Sequence, residues 1–417
     1  MLRGKQGDLM RLLIVLAILC RLQGRDGGMP SSHGRRTVIS AGTALDGRGR
    51  LMRDVRIVIE NDRIVGVSSQ PGPADYDLRG MTVMPGWIDA HVHITWSFGE
   101  DGKNINQGGT TPQAVYRAAS NAWLTLMAGF TTVQSVGSSA DIPLREAIAK
   151  GLLPGPRILT SGEPLMGQGE KTGTPAEIRE YVRKQKSDGA DLIKIFASGS
   201  IGSGMTLSQD QLMAACDEAK KQGLRTLVHA YREAVRAATI AGCTEVEHGL
   251  GATDDDLRMM AARGTFFDPQ AGLLMETYIK YKDQFAGSPL FPKTPDSLAT
   301  AAEAILAKNK DLMRRAARTS GLKIVFGTDS VAGAHGRNAE EFVQRVRDCG
   351  MNPTQAMISA QSMSAEALGM SDLIGSIATG YQADIIAVDG DPLTDITSVR
   401  RVMFVMKGGV VYKNVTK

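Results

Sequence analysis

The chain has 417 residues, 42% of them hydrophobic, which suffices for one large domain or one domain with a smaller annex. Its 48 Lys and Arg against 44 Asp and Glu leave a net charge of +4. Residues 1–28 hold that excess, with Arg3, Lys5, Arg11, Arg21 and Arg25 against Asp8 and Asp26, so the rest carries 43 against 42. A near-neutral body without a clustered basic face excludes a nucleic-acid footprint.

In chain order, residues 1–28 read as a leader. A basic start ending at Arg11 precedes an apolar run from Leu12 to Cys20, long enough for a secretory h-region and too short for a stable membrane span. The expectation is export to the periplasm or medium. Arg21-Leu22-Gln23-Gly24 lacks a small-x-small cleavage pattern, and a cytoplasmic protein starting at Met10 or Met29 is the alternative.

Residues 29–83 are β-like, with Thr37-Val38-Ile39 and Val55-Arg56-Ile57-Val58-Ile59 separated by turn residues such as Asp46-Gly47-Arg48-Gly49. Residues 373–417 look similar, with strands at 383–388 and 402–406 and a hairpin signal at Lys407-Gly408-Gly409. Both ends together suggest a small β-sandwich. Between them, residues 84–372 alternate strand and helix. Apolar runs stand at 83–88, 131–136, 157–160, 192–196, 226–228, 244–246, 265–267 and 324–326. Capping boxes start helices at Thr174-Pro175-Ala176-Glu177 and Ser208-Gln209-Asp210-Gln211, and Asn352-Pro353 opens one through Glu366 and Ala367 toward Gly369. The stretch from Gln270 to Pro295 reads as a loop with a helical insertion near the barrel mouth. Eight alternating units predict an α/β fold, a closed (β/α)8 barrel of the TIM type.

Cys20, Cys216, Cys243 and Cys349 are widely spaced and form neither a disulfide framework nor a Cys-based zinc motif. Each is expected to be a small buried apolar group.

Such a barrel carries its chemistry at the C-terminal ends of its strands. Strand 1 ends Asp89-Ala90-His91-Val92-His93, where positions i and i+2 point the same way, so His91 and His93 can hold one metal. Strand 4 carries Lys194 in an apolar run, strand 5 ends at His229, strand 6 at His248 and strand 8 at Asp329. Taken singly, each has a bland reading: a polar contact, a snorkelling lysine, an aspartate capping a helix. Together, four of the chain's six histidines at strand ends are what a metal cluster requires.

With these motifs the sequence resembles the amidohydrolase superfamily over about residues 37–417. The resemblance rests on Pro85-Gly86-Trp87-Ile88-Asp89-Ala90-His91-Val92-His93, Lys194, His229, His248 and Gly327-Thr328-Asp329-Ser330. Ile193-Lys194-Ile195, Val228-His229-Ala230-Tyr231-Arg232 and His335-Gly336-Arg337-Asn338-Ala339-Glu340 are similar to the branch of secreted Xaa-Pro dipeptidases and N-acyl amino acid hydrolases, with imidazolonepropionase more distant. The resemblance implies two divalent metal ions, with zinc the best fit to the ligands and manganese or cobalt also suited. It implies that His91, His93 and Asp329 hold the buried metal, His229 and His248 the outer one, and a carboxylated Lys194 both. An apolar strand disfavours the ammonium form of Lys194, and a neutral amine can add carbon dioxide. Asp329 would take the proton of the metal-activated water and pass it to the leaving amine.

Tyr231 is expected to donate to the substrate carbonyl, Arg232 to pair with a substrate carboxylate, and His335 to order its loop or touch substrate. Related dipeptidases carry Gly-Gly-His-Gly after strand 3. This chain has Met166-Gly167-Gln168-Gly169-Glu170, so Gln168 stands where a histidine could reach the substrate. The expected partner is a small amide or dipeptide, with a homo-oligomer left open. A deaminase or cyclic-amide hydrolase is one rival, although three residues beyond His229 stands Arg232 instead of the glutamate such sites use. A scaffold that kept the fold without catalysis is the other, and the complete ligand set argues against it.

Overall fold

The computed structural model describes residues 35–416, except 107, 110, 202, 289 and 290. The leader expected over residues 1–28 lies outside them. The strands, in order, are β1 (Arg36–Leu45), β2 (Leu51–Glu60), β3 (Arg63–Ser68), β4 (Tyr76–Asp77), β5 (Thr82–Pro85), β6 (Trp87–Val92), β7 (Ser97–Phe98), β8 (Asn104–Ile105), β9 (Phe130–Ser135), β10 (Arg157–Thr160), β11 (Leu165–Met166), β12 (Leu192–Phe196), β13 (Arg225–Ala230), β14 (Glu245–His248), β15 (Phe266–Asp268), β16 (Lys323–Ile324), β17 (Ile385–Val388), β18 (Val402–Lys407) and β19 (Val410–Asn414).

The two ends of the chain share one mixed sheet, in the order β19-β18-β17-β5-β1-β2-β3, with β4 on β1. Its joint is the antiparallel pair β17–β5, which sets Ala387 opposite Val83. Alternating apolar residues of both ends, among them Ile39, Ile57, Ile385 and Phe404, are fully buried in a core of their own.

The two larger sheets of the body are parallel, and β7 and β8 form a small antiparallel pair of their own. One sheet runs β10-β9-β6 and a second β11-β12-β13-β14-β15-β16. Backbone bonds cross both gaps between them: Ala90 N–H donates to Phe326 O at 2.7 Å, and Asp191 N–H to Thr160 O at 2.8 Å. The apolar run at 83–88 is two strands, not one. Gly86 divides it, donating its N–H to Asp384 O at 2.9 Å while a Cβ there would stand 2.2 Å from Thr131 Oγ1. Residues before it belong to the mixed sheet and residues after it to the body.

Both capping boxes form, at Thr174/Glu177 and Ser208/Gln211. The helix expected from Pro353 toward Gly369 breaks instead. It runs Pro353–Ile358, passes through a wide turn in which Gln361 leaves helical geometry at φ −125° and ψ −107°, and resumes at Ser364–Ala367. Ser359 and Ser364 hydroxyls donate to Ala356 O and Ser359 O, satisfying carbonyls that the helix ladder leaves open. The Gln270–Pro295 stretch carries the expected insertion, the helices Leu273–Lys280 and Lys282–Phe285, and the long helix Pro295–Arg318 follows. Among the described residues no helix is long and apolar enough to cross a membrane.

Cys216 and Cys243 form a disulfide, with their Cα atoms 5.1 Å apart, which corrects the expectation of three separate apolar cysteines. The bond joins the helix Gln209–Lys221 to the segment entering β14, a proximity created by the parallel β13–β14 pairing and invisible in a 27-residue spacing. Cys349 is free and buried, as expected.

Candidate metal centre and active site

The strand ends converge on a cavity of about 1150 Å³ lined by His91, His93, Lys194, His229, His248 and Asp329, with Tyr231 beside them. Lys194 Nζ lies 3.3 Å from His91 Nε2. His93 Nε2 stands 3.0 Å and His91 Nε2 3.5 Å from Asp329 Oδ1. The rings of His229 and His248 are 4.7 Å apart, and His248 is 5.5 Å from His91. Tyr231 abuts both outer histidines, at 4.7 and 5.5 Å between ring centres.

Register explains the convergence. Phe196, His229, Glu247 and Asp268 are partners across β12, β13, β14 and β15 and so share one face, with Lys194 two residues before Phe196 on that face. His248 belongs to the opposite row by alternation. Its φ of +60° turns it back toward the cavity. Arg232, Gln270 and Asp329 also adopt positive φ, at 52°, 46° and 51°. These four non-glycine residues sit at or just past the ends of four consecutive strands. Each such conformation costs about 1–3 kcal/mol and persists where function constrains the backbone.

The donor set fits a cation. His91, His93 and Asp329 offer ligand atoms that lie within 4.8 Å of one another. His93 Nδ1 faces Val136 O at 2.7 Å, and a carbonyl can only accept. With Nδ1 engaged there, His93 Nε2 and the carboxylate oxygen of Asp329 face each other, as two ligand atoms do across a shared cation. Burial holds the His91 and His229 imidazoles well below the ordinary histidine range, and puts His248 at about 4. They are neutral, as metal ligands must be. Burial also lowers the Lys194 ammonium, partly offset by Glu247 and Asp329.

Three residues join this centre that the sequence reading had not named. Glu247 Oε2 contacts His91 Nδ1, the far side of the ring from Lys194. Asp268 lies next to it and is held by Arg345 at 3.1 Å. Gln270 bonds both carboxylates. Glu247 could have been found by alternation, since it is the cross-strand partner of His229 and shares its face. Gln270 carries no signal of its own.

Of the residues expected to contact substrate, Tyr231 lines the cavity and the other three do not. Arg232 turns instead into a second cavity of about 610 Å³ with Lys308, Asp311 and Arg315, and its Nε is 3.7 Å from Glu233. The positive φ at Arg232 breaks the alternation on which the expectation rested. Gln168 is exposed outside the cavity, held by its N–H to Thr172 Oγ1 at 2.6 Å, while Met166 and Gly167 take the wall. His335 is buried near the backbone of His93 and Trp96 and does not line the cavity, and neither of its ring nitrogens has a hydrogen-bond partner among the described residues. The outer wall is apolar: Leu274, Met275, Tyr278 and Phe291 from the insertion, then Leu298, Ala301 and Ile305 on one face of the long helix.

Parallel strands bring histidines, a lysine and an aspartate, among them residues that could bind a metal, to one cavity. The match to the Amidohydrolase family model runs over residues 82–412, and the chain belongs to that family as a hydrolase acting on carbon–nitrogen bonds. Ochratoxinase from Aspergillus niger is 27% identical, covering 90% of this chain and 86% of its own. Imidazolonepropionase from Streptomyces coelicolor is 25% identical over 81% of this chain and 86% of its own. A solved Xaa-Pro dipeptidase with methionine bound in its active site is 29% identical, with a TM-score of 0.80 over 91% of this chain and 100% of that one.

Proposed function

We propose that this protein is a binuclear metal-dependent hydrolase that cleaves the amide bond of a dipeptide, Xaa-Pro among them, or of an N-acyl amino acid. The observation that carries the reading is the gathering of all six expected ligands on one cavity wall, with Lys194 Nζ 3.3 Å from His91 Nε2. His91, His93 and Asp329 would hold one ion, His229 and His248 the other, and a carboxylated Lys194 would contact both. Zinc suits this nitrogen and oxygen set. Bound there, the two ions supply Lewis acidity and make a water nucleophilic at neutral pH.

The chain's own residues do the rest. The Lys194 amine, disfavoured as an ammonium, adds carbon dioxide, forming an N–C bond and releasing a proton. Asp329 accepts the proton of the attacking water and delivers it to the leaving nitrogen. Tyr231 keeps its proton, because burial raises its hydroxyl, and donates to the carbonyl oxygen of the substrate. The apolar outer wall takes the side chain of the acyl part. Arg232 lines the second cavity instead of this one, so in this reading a substrate carboxylate is read by the metals or by neutral donors.

The surrounding architecture in this reading is a closed (β/α)8 barrel over residues 84–372 and a small β-sandwich from residues 29–83 and 373–417. The bonds across both seams of the parallel sheets support closure. The antiparallel bridge between Arg63 and Gln382 supports a mixed sheet that curls onto itself. The proposed location is outside the cytoplasm, where the Cys216–Cys243 bond would persist.

The test combines metal analysis with turnover of a library of dipeptides and N-acyl amino acids. About two metals per chain and turnover of this library are expected. One metal with turnover of cyclic amides or amines would favour the deaminase-like alternative, and two metals without turnover of the library would end the substrate class.

A further inference from the structure

We propose that Gln270 is a positioning residue whose single side-chain amide sets the orientation of one histidine in each half of the metal centre. The inference rests on the metal-ligand reading above. Gln270 follows the end of β15, is 3% exposed, and takes a φ of +46° that aims its side chain between His91 and His248. Its Oε1 accepts from His248 Nδ1. Its Nε2 donates to Asp268 Oδ2 at 2.6 Å and to Glu247 Oε2 at 3.1 Å, and lies 3.0 Å from His91 Nδ1. The same Glu247 oxygen contacts His91 Nδ1.

The amide has a polarity that this geometry uses. Its oxygen can only accept, and its nitrogen can only donate. Oxygen toward His248 requires the His248 proton on Nδ1, leaving the Nε2 lone pair for a cation. Nitrogen toward Asp268 and Glu247 holds Glu247 beneath His91, where its Oε2 accepts the hydrogen bond of Nδ1–H and leaves the Nε2 lone pair facing the cavity. The flipped amide would set its oxygen against two carboxylates and its NH2 against an N–H, so the network itself selects the orientation. Partners of this kind behind a ligand fix its tautomer and ring angle, and removing one costs about 10–100-fold in metal affinity. Gln270 is unusual in serving both halves at once, because Oε1 and Nε2 lead to histidines that the proposed assignment gives to different ions. A purely structural role, satisfying buried carboxylates, would require only the Nε2 contacts and no positive φ.

The experiment compares wild type with Gln270→Met, which keeps the volume and removes both polar ends. Histidine tautomers are read by 15N NMR in the metal-free protein, and zinc affinity by competition with a chelator. In wild type His248 and His91 should carry the proton on Nδ1. In Gln270→Met, His248 should become a tautomer mixture, and zinc affinity should fall about 10–100-fold at both sites. A variant that keeps the wild-type tautomers and zinc affinity would overturn the proposal, as would a metal-free wild type with the His248 proton on Nε2. That last measurement needs no variant and decides the matter even if Gln270→Met does not fold. A wild type that shows the expected tautomers but binds no zinc would instead count against the metal-centre reading, which keeps the two failures apart.

Discussion

Lys194 Nζ stands 3.3 Å from His91 Nε2, and both side chains are 1% exposed. A lysine this buried, on an apolar strand and against a neutral imidazole, has little reason to keep a proton. Lys194→Ala is expected to lose metal, from about two ions to one or none, and activity by about 1000-fold or more. Bicarbonate with a short carboxylic acid should restore part of both, since the acid can occupy the space of the carbamate. Full metal content and rate in Lys194→Ala would remove the carbamate from the mechanism.

Asp329 faces His91 and His93 through one carboxylate oxygen, at 3.5 and 3.0 Å. Asp329→Asn keeps an oxygen for ligation and cannot accept a proton at that site. The variant should fold, with kcat down by about 10²–10⁴-fold. Activity within tenfold of wild type would place the proton shuttle on another residue.

The disulfide is testable without substrate. Cys216–Cys243 closes a loop of 27 residues in sequence, and chain entropy predicts a contribution of about 3.5 kcal/mol. For a protein of this size that corresponds to a fall of about 4–5 °C in the thermal midpoint of Cys216→Ala/Cys243→Ala, or of wild type under reductant. Identical midpoints with and without reductant would show that the bond does not form in solution.

What was legible in the sequence follows from periodicity. His91 and His93 pair because extended backbone repeats every two residues, and Lys194 reaches them because its strand has the same period. The same arithmetic misplaced Arg232, where φ of +52° ends the alternation just past β13. His248 lines the cavity because a second positive φ reverses the face that alternation would assign. The run at 83–88 reads as one strand by its apolar residues, yet Pro85-Gly86 within it is a local break, and the Thr131 side chain leaves room there for no Cβ. The Cys216–Cys243 pair and Gln270 depend on contacts between distant elements, and nothing in their own neighbourhoods announces them.

The displacement of Arg232 makes a sharp expectation about the substrate. Its side chain lines the second cavity with Lys308 and Arg315, and not the cavity lined by Asp329. Arg232→Met should therefore leave unchanged the ratio of kcat/KM for an N-acyl amino acid and for its C-terminal amide. A ratio that collapses in the variant would return Arg232 to the substrate.

Selectivity should reside on the acyl side. Leu274, Met275, Tyr278 and Phe291 from the insertion face the cavity alongside Leu298, Ala301 and Ile305, which recur at helical spacing on the long helix. A methylene moved from water to such a wall contributes about 0.8 kcal/mol, or roughly fourfold in kcat/KM when the contact is kept in the transition state. N-acyl amino acids of increasing chain length should thus rise in kcat/KM by a few-fold per methylene until the cavity is filled. Ala301 is only half-buried and opens onto the cavity, so Ala301→Leu adds its bulk to that space and not to the core. The variant should cut kcat/KM for long and aromatic acyl groups by about tenfold, while acetyl and formyl substrates keep the wild-type rate. Equal losses for short and long acyl groups would mean that the substitution disturbs the fold or the metals. A wild-type rate that does not vary with acyl length would mean that the apolar wall is not where this part of the substrate binds.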